Sequence, residues 1–104
     1  MPRPWGETRA RRVMEYASRV QKGTIFERRD RNGNVWRATV TKRTALYVYV
    51  TIENPYNGSV ETCDRVVIHQ KHANGEPIDD YYITVHRYIG SHKCDMGFDL
   101  ARFY

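Results

Sequence analysis

Residues 30–34, Asp-Arg-Asn-Gly-Asn, constrain the chain more than any other five positions. Asp, Asn and Gly support turn geometries that β-branched residues resist. They lie inside residues 23–43, GTIFERRDRNGNVWRATVTKR, which read as an arginine-rich β-hairpin. Two registers compete. A two-residue type I′ turn at Asn32-Gly33 pairs Arg31 with Asn34, sets Phe26 opposite Thr39 and Arg29 opposite Trp36. A three-residue loop, a type I turn with Gly33 left-handed in a G1 bulge, pairs Asp30 with Asn34 instead. It sets Phe26 opposite Ala38, Arg28 opposite Trp36 and Glu27 opposite Arg37. The second register matches apolar with apolar, cation with ring and acid with base, so it is the one expected. One face then carries Phe26, Trp36, Ala38 and Val40 toward a core. The other carries Glu27, Arg29, Arg37, Thr39 and Thr41, and a one-residue slip would exchange the two.

Around the hairpin the chain divides readily. Residues 1–6 form an extended arm, because Pro2 and Pro4 keep their predecessors out of helix, and Trp5 is expected to dock on the body. Over residues 7–22, Ala10, Val13, Met14, Ala17 and Val20 recur at three- and four-residue spacing, which predicts an amphipathic helix. Thr8 is its N-cap and Gly23 its C-cap glycine. Residues 45–52, ALYVYVTI, are apolar or aromatic on both faces and predict a central strand. Residues 54–59 are a loop. Another strand follows over 60–71, with a break near Cys63-Asp64, then a loop over 72–77. In residues 80–89, Tyr81, Ile83, Val85 and Ile89 alternate with Tyr82, Thr84, His86 and Tyr88, the pattern of a half-buried strand. Residues 90–104 are mixed, with Phe98, Leu100, Phe103 and Tyr104 suggesting one last short docking element.

The expected fold class is α+β. The N-terminal amphipathic helix packs on a roughly five-stranded antiparallel meander over residues 23–104, in a single domain of 1–104. The alternative is a small curled barrel, SH3-like or OB-like, with the same N-terminal helix.

Charge is distributed unevenly. Residues 1–43 hold twelve Lys/Arg against four Asp/Glu, a charge of +8, and residues 44–104 hold five against eight, −3, which together give the net +5. Such asymmetry points to an anionic partner for the basic half, nucleic acid first. No apolar run approaches the 18 residues of a membrane span, and no signal-peptide core opens the chain, so a cytoplasmic protein is expected. The two cysteines, Cys63 and Cys94, fit free thiols in a reducing compartment, with one disulfide as the other option.

These features predict a small basic nucleic-acid-binding domain with weak sequence preference. The residues expected to meet phosphates are Arg9, Arg12, Arg19, Arg28, Arg29, Arg31, Arg37, Lys42 and Arg43, with Tyr47 and Tyr49 as stacking rings. The eight tyrosines suggest an aromatic platform, though tyrosines on a second face serve equally as a minor core. A second class is a protein-binding inhibitor or adaptor, of the kind viruses and mobile elements encode, that engages an acidic protein surface. A third is a metal-independent ribonuclease using Glu27, Arg37, His69 and His86 for proton transfer and phosphate holding. A zinc site can be drawn from His92, Cys94 and Asp95 with Cys63 and His69 or His72, but no Cys-x-x-Cys pair supports it. Asp79-Asp80 reads as a strand-leading turn. No metal and no cofactor are expected.

Overall fold

A computed structural model describes residues 19–44 and 47–103. Seven strands, β1 (Ile25–Arg29), β2 (Val35–Arg43), β3 (Val48–Glu53), β4 (Val60–Cys63), β5 (Val66–Ala73), β6 (Glu76–Ile89) and β7 (His92–Arg102), form one antiparallel sheet. Their order is β4-β3-β2-β1-β7-β6-β5. There is no helix among the described residues, so the α+β class is corrected to all-β, and the part of the expected N-terminal helix that is described, from residue 19, is not helical.

The reason is visible where the expected helix should end. Residues 19–24 make turns, with one backbone donor going to the sheet and two closing a local turn instead of continuing a helix. The Gly23 amide donates to the Val40 carbonyl at 2.8 Å, the Thr24 amide to the Gln21 carbonyl at 3.0 Å, and the Gln21 amide to Thr24 Oγ1 at 3.1 Å. Gly23, at φ +96°, is the pivot into β1 rather than a helix cap. Val20, the last apolar residue of the helical pattern, is fully buried in the core of the sheet. The arm and the rest of the expected helix, residues 1–18, lie outside the described residues.

The hairpin has the expected register. Phe26 pairs with Ala38, Glu27 with Arg37 and Arg28 with Trp36. The Asp30 amide donates to Asn34 O and the Gly33 amide to Asp30 O, each at 3.0 Å, and Gly33 has φ +80°. That is a type I turn closed by a G1 bulge.

In place of a five-stranded meander there are two meanders, β1 to β4 and β5 to β7, joined because the last strand pairs with the first. The outermost strands β4 and β5 are separated in sequence only by Asp64 and Arg65. Three Cα steps span at most about 11 Å, whereas the edges of a flat seven-stranded sheet would stand about 29 Å apart. The sheet must therefore curl. The curl is held at its seam by Arg87 of β6, whose Nη2 lies 2.7 Å from Glu61 Oε2 of β4, and by direct contact of β3 with β5.

Curling brings one face of every strand but β4 into a single core, made of Phe26, Ala38, Val40, Val48, Val50, Ile52, Val66, Ile68, Tyr81, Ile83, Val85 and Phe98. Cys63 of β4 packs against its margin. Burying each large side chain here contributes roughly 1.5–3 kcal/mol.

Two further expectations change. The loop over 72–77 is a tight hairpin: Asn74 and Gly75, at φ +54° and +79°, form the type I′ turn between β5 and β6. The mixed tail is an eleven-residue strand, β7, reached through Gly90-Ser91, with Gly90 at φ +64° as in a type II′ turn. No helix among the described residues is long and apolar enough to cross a membrane.

Candidate nucleic-acid interface

The outer face of the sheet is polar, and its register places charges in a row across the strands. Glu53, Arg37, Glu27, Asp99, Tyr82 and His69 follow one another from β3 to β5 as directly paired neighbours. Much of this row is internally neutralised. Arg37 Nη1 is 3.7 Å from Glu53, and Lys71 Nζ is 3.0 Å from Asp99 and 3.6 Å from Asp80. The Lys71 ammonium is held above its usual pKa, chiefly by its hydrogen bond to Asp99.

The cations expected to meet phosphate fall into separate groups. Arg9 and Arg12 lie outside the described residues. Arg28, Arg29 and Arg31 cluster at the tip of the β1–β2 hairpin, where Arg28 and Arg29 donate to the Gly97 and Gly33 carbonyls at 3.4 and 3.1 Å. Lys42 and Arg43 sit at the other end of β2, past a bulge that breaks the register after Val40. There Lys42 Nζ lies 5.4 Å from the Tyr49 ring centroid, and Arg43 donates to Gln21 Oε1 at 3.0 Å. Tyr47, 57% exposed, adjoins them, while Tyr49 is half-buried. Along β2 the two ends stand about 27 Å apart. Arg37 occupies the middle. Arg19 belongs to neither end, because its guanidinium is 2.6 Å from Asp79 and 4.7 Å from the Phe103 ring centroid.

One contrast separates these groups. Arg28, Arg29, Arg31, Lys42 and Arg43 have no carboxylate partner among the described residues, whereas Lys71, Arg87 and Lys93 of the second half are all ion-paired. Of the other cations, Arg37 and Arg19 take Glu53 and Asp79 of the second half, while Arg65 and Arg102 have no carboxylate partner among the described residues. The acids of residues 44–104 thus reach the middle of the hairpin but not the cations at its two ends.

The expected tyrosine platform is not continuous. Tyr49 on β3 and Tyr82 on β6 are separated by four strand spacings, about 19 Å along the sheet. Tyr82 is already stacked on His69 at 4.5 Å, and Tyr88 lies 5.6 Å from Arg65.

The ribonuclease set does not converge either. Glu27 and Arg37 are neighbours, but His69 is three strand spacings from Glu27, about 14 Å. His86 pairs with Asp95 at 2.8 Å, four residues along β6 from the row. A single phosphodiester cannot touch all four groups. Among the described residues no three His, Cys, Asp or Glu side chains are placed to hold a metal ion, and Cys63 and Cys94 are free thiols.

Arg102 escaped the sequence reading. The β1–β7 register shifts between Ile25 and Phe26, which pair with Arg102 and Leu100 and leave Ala101 as the extra residue. Arg102 and Ala101 then line an open depression of about 440 Å³ with Ile25, Glu27 and Arg37. No local sequence signal announces a bulge inside a run such as Asp99-Leu100-Ala101-Arg102.

No protein-family model, curated protein or solved structure matches the chain.

Proposed function

We propose that the protein binds nucleic acid through its phosphates, using the cations at the two ends of the β1–β2 hairpin. The observation that carries this reading is the absence of carboxylate partners, among the described residues, for Arg28, Arg29, Arg31, Lys42 and Arg43. An unpaired surface guanidinium retains its full attraction for a polyanion, whereas an ion-paired one must first release its acid. Phosphate contact of this kind is insensitive to sequence and releases counterions.

The geometry also sets a length. Ends about 27 Å apart match about eight phosphates of a base-stacked strand, which rises about 3.4 Å per charge. Strands shorter than this reach one cluster of cations, and longer ones reach both. A fluorescence-anisotropy series over strand length at low salt tests the reading. Affinity should rise steeply up to about eight nucleotides and only slowly beyond. Absence of binding at any length would remove nucleic acid as the partner and leave an acidic protein surface as the match for these cations.

A further inference from the structure

The depression beside β1 holds an unusual pairing choice. Glu27 lies directly across from Arg37, yet Arg37 turns to Glu53 on its far side. On the other flank of Glu27, Asp99 is taken by Lys71 at 3.0 Å. The half-buried Glu27 carboxylate is left with no hydrogen-bond or ion-pair partner among the described residues. Glu27 lines a space of about 440 Å³ together with Ile25 and Ala101 and the cations Arg37 and Arg102. The β7 bulge brings Ala101 and Arg102 to this rim, the kind of local irregularity that re-aims side chains beside binding sites.

We infer that this depression reads a guanine base of a bound single strand, with Glu27 as the residue that specifies it. A carboxylate only accepts hydrogen bonds, so its ligand must offer donors. Among the bases, guanine alone presents two adjacent N–H donors on its Watson–Crick edge, N1–H and the exocyclic amine, spaced to meet both carboxylate oxygens. Its O6, beside them, accepts from a guanidinium, the commonest specific contact of arginine with guanine. The lining is mainly polar, with Ile25 and Ala101 as its apolar part, which suits an edge read by hydrogen bonds. Recognition of an unpaired base by its Watson–Crick edge is the usual route to sequence preference on single strands. This inference rests on the phosphate-binding reading and adds one base preference to it.

Three fluorescent single strands of about twelve nucleotides test it: all-thymine, the same with two central guanines, and the same with inosines in their place. Thymine offers a single N–H. The wild-type protein should prefer the guanine strand about ten-fold, the discrimination a bidentate pair gives. Inosine, lacking the exocyclic amine, should lose most of that preference. Glu27→Gln, which replaces one acceptor by a donor, should bring guanine to parity without weakening the all-thymine strand. Equal binding of guanine and thymine strands by the wild type would overturn the inference while phosphate binding stood. A preference that survives Glu27→Gln would overturn it too. Failure of every strand to bind at low salt would remove the phosphate reading, and the guanine site with it.

Discussion

The hydroxyl of Tyr56, in the loop after β3, donates a 2.5 Å hydrogen bond to Oδ2 of Asp30 at the tip of the β1–β2 hairpin. Trp36 Nε1–H donates to the same oxygen at 3.2 Å, while Oδ1 accepts the amides of Asn32 at 2.9 Å and Asn34 at 3.0 Å. One carboxylate therefore shapes its own turn and fastens it to a second loop. The Asn32 side-chain amide closes the arrangement by donating to the Tyr56 oxygen at 3.0 Å. Arg29 and Arg31 flank this knot, so the direction in which the tip cations project depends on it.

Asp30 should report the knot directly. Its carboxyl is held below the usual range mainly by the Tyr56 hydrogen bond; burial works against this, and Trp36, Asn34 and Asn32 add to it. Because the folded value is depressed, the group stabilises the fold above its ordinary value near about 4. That stability is lost as pH falls through the lower folded value. In Tyr56→Phe the Asp30 carboxyl should titrate at higher pH, followed by NMR of its side-chain carbon. An unchanged titration would mean that Tyr56 is not its main partner.

Cys63 should be nearly inert toward alkylation in the native protein. Burial first, and then the charge of Glu61, push its thiol up to about 11. At pH 8 the thiolate fraction is then lower by roughly two orders of magnitude than for a free cysteine of pKa about 8.5. Glu61→Gln removes the carboxylate and frees Arg87 toward the sulfur, both of which favour thiolate, so iodoacetamide should react faster at Cys63. Peptide-level mass spectrometry resolves the site, and a slower reaction in this variant would contradict the assignment.

Gly75→Ala should destabilise the fold without any clash. Gly75 holds φ +79° in the β5–β6 turn, and a Cβ added there meets nothing within 4 Å. The cost is conformational, about 1–2 kcal/mol for a left-handed alanine. Urea denaturation should show a lower midpoint with an unchanged slope. A neutral result would mean that the turn relaxes to another type.

How far the sequence revealed this fold depends on whether the deciding chemistry was local. The Asp30–Asn34 turn was legible because cross-strand pairs such as Phe26–Ala38 favour one register. Residues 45–52 announced a strand by being apolar or aromatic on both faces, and Val48, Val50 and Ile52 of that run are buried. The spacing ending at Val20 suggested helix, yet a buried valine followed by a turn satisfies the same pattern at that end. Asn74-Gly75 was submerged in a polar stretch, since the strand ends beside it are exposed and carry no apolar alternation. The pairing of β7 with β1 is a contact across most of the chain, and nothing near either strand encodes it. For the site, the basic character of the hairpin could be read from composition. Which cations are neutralised, and the Glu27 depression, depend on that long-range order.

The phosphate-binding account is tested most directly by salt titration of a single-stranded oligonucleotide with two kinds of charge removal. The logarithm of the binding constant should fall linearly with the logarithm of salt concentration, by about 0.7 per phosphate contacted. The double variant Arg29→Ala, Arg31→Ala should flatten that slope by about 1.4, two contacts' worth, whereas Lys71→Ala, which removes an ion-paired cation, should leave it unchanged. Binding indifferent to salt, or a slope reduced equally by both changes, would contradict the assignment of the interface to the unpaired cations of the hairpin.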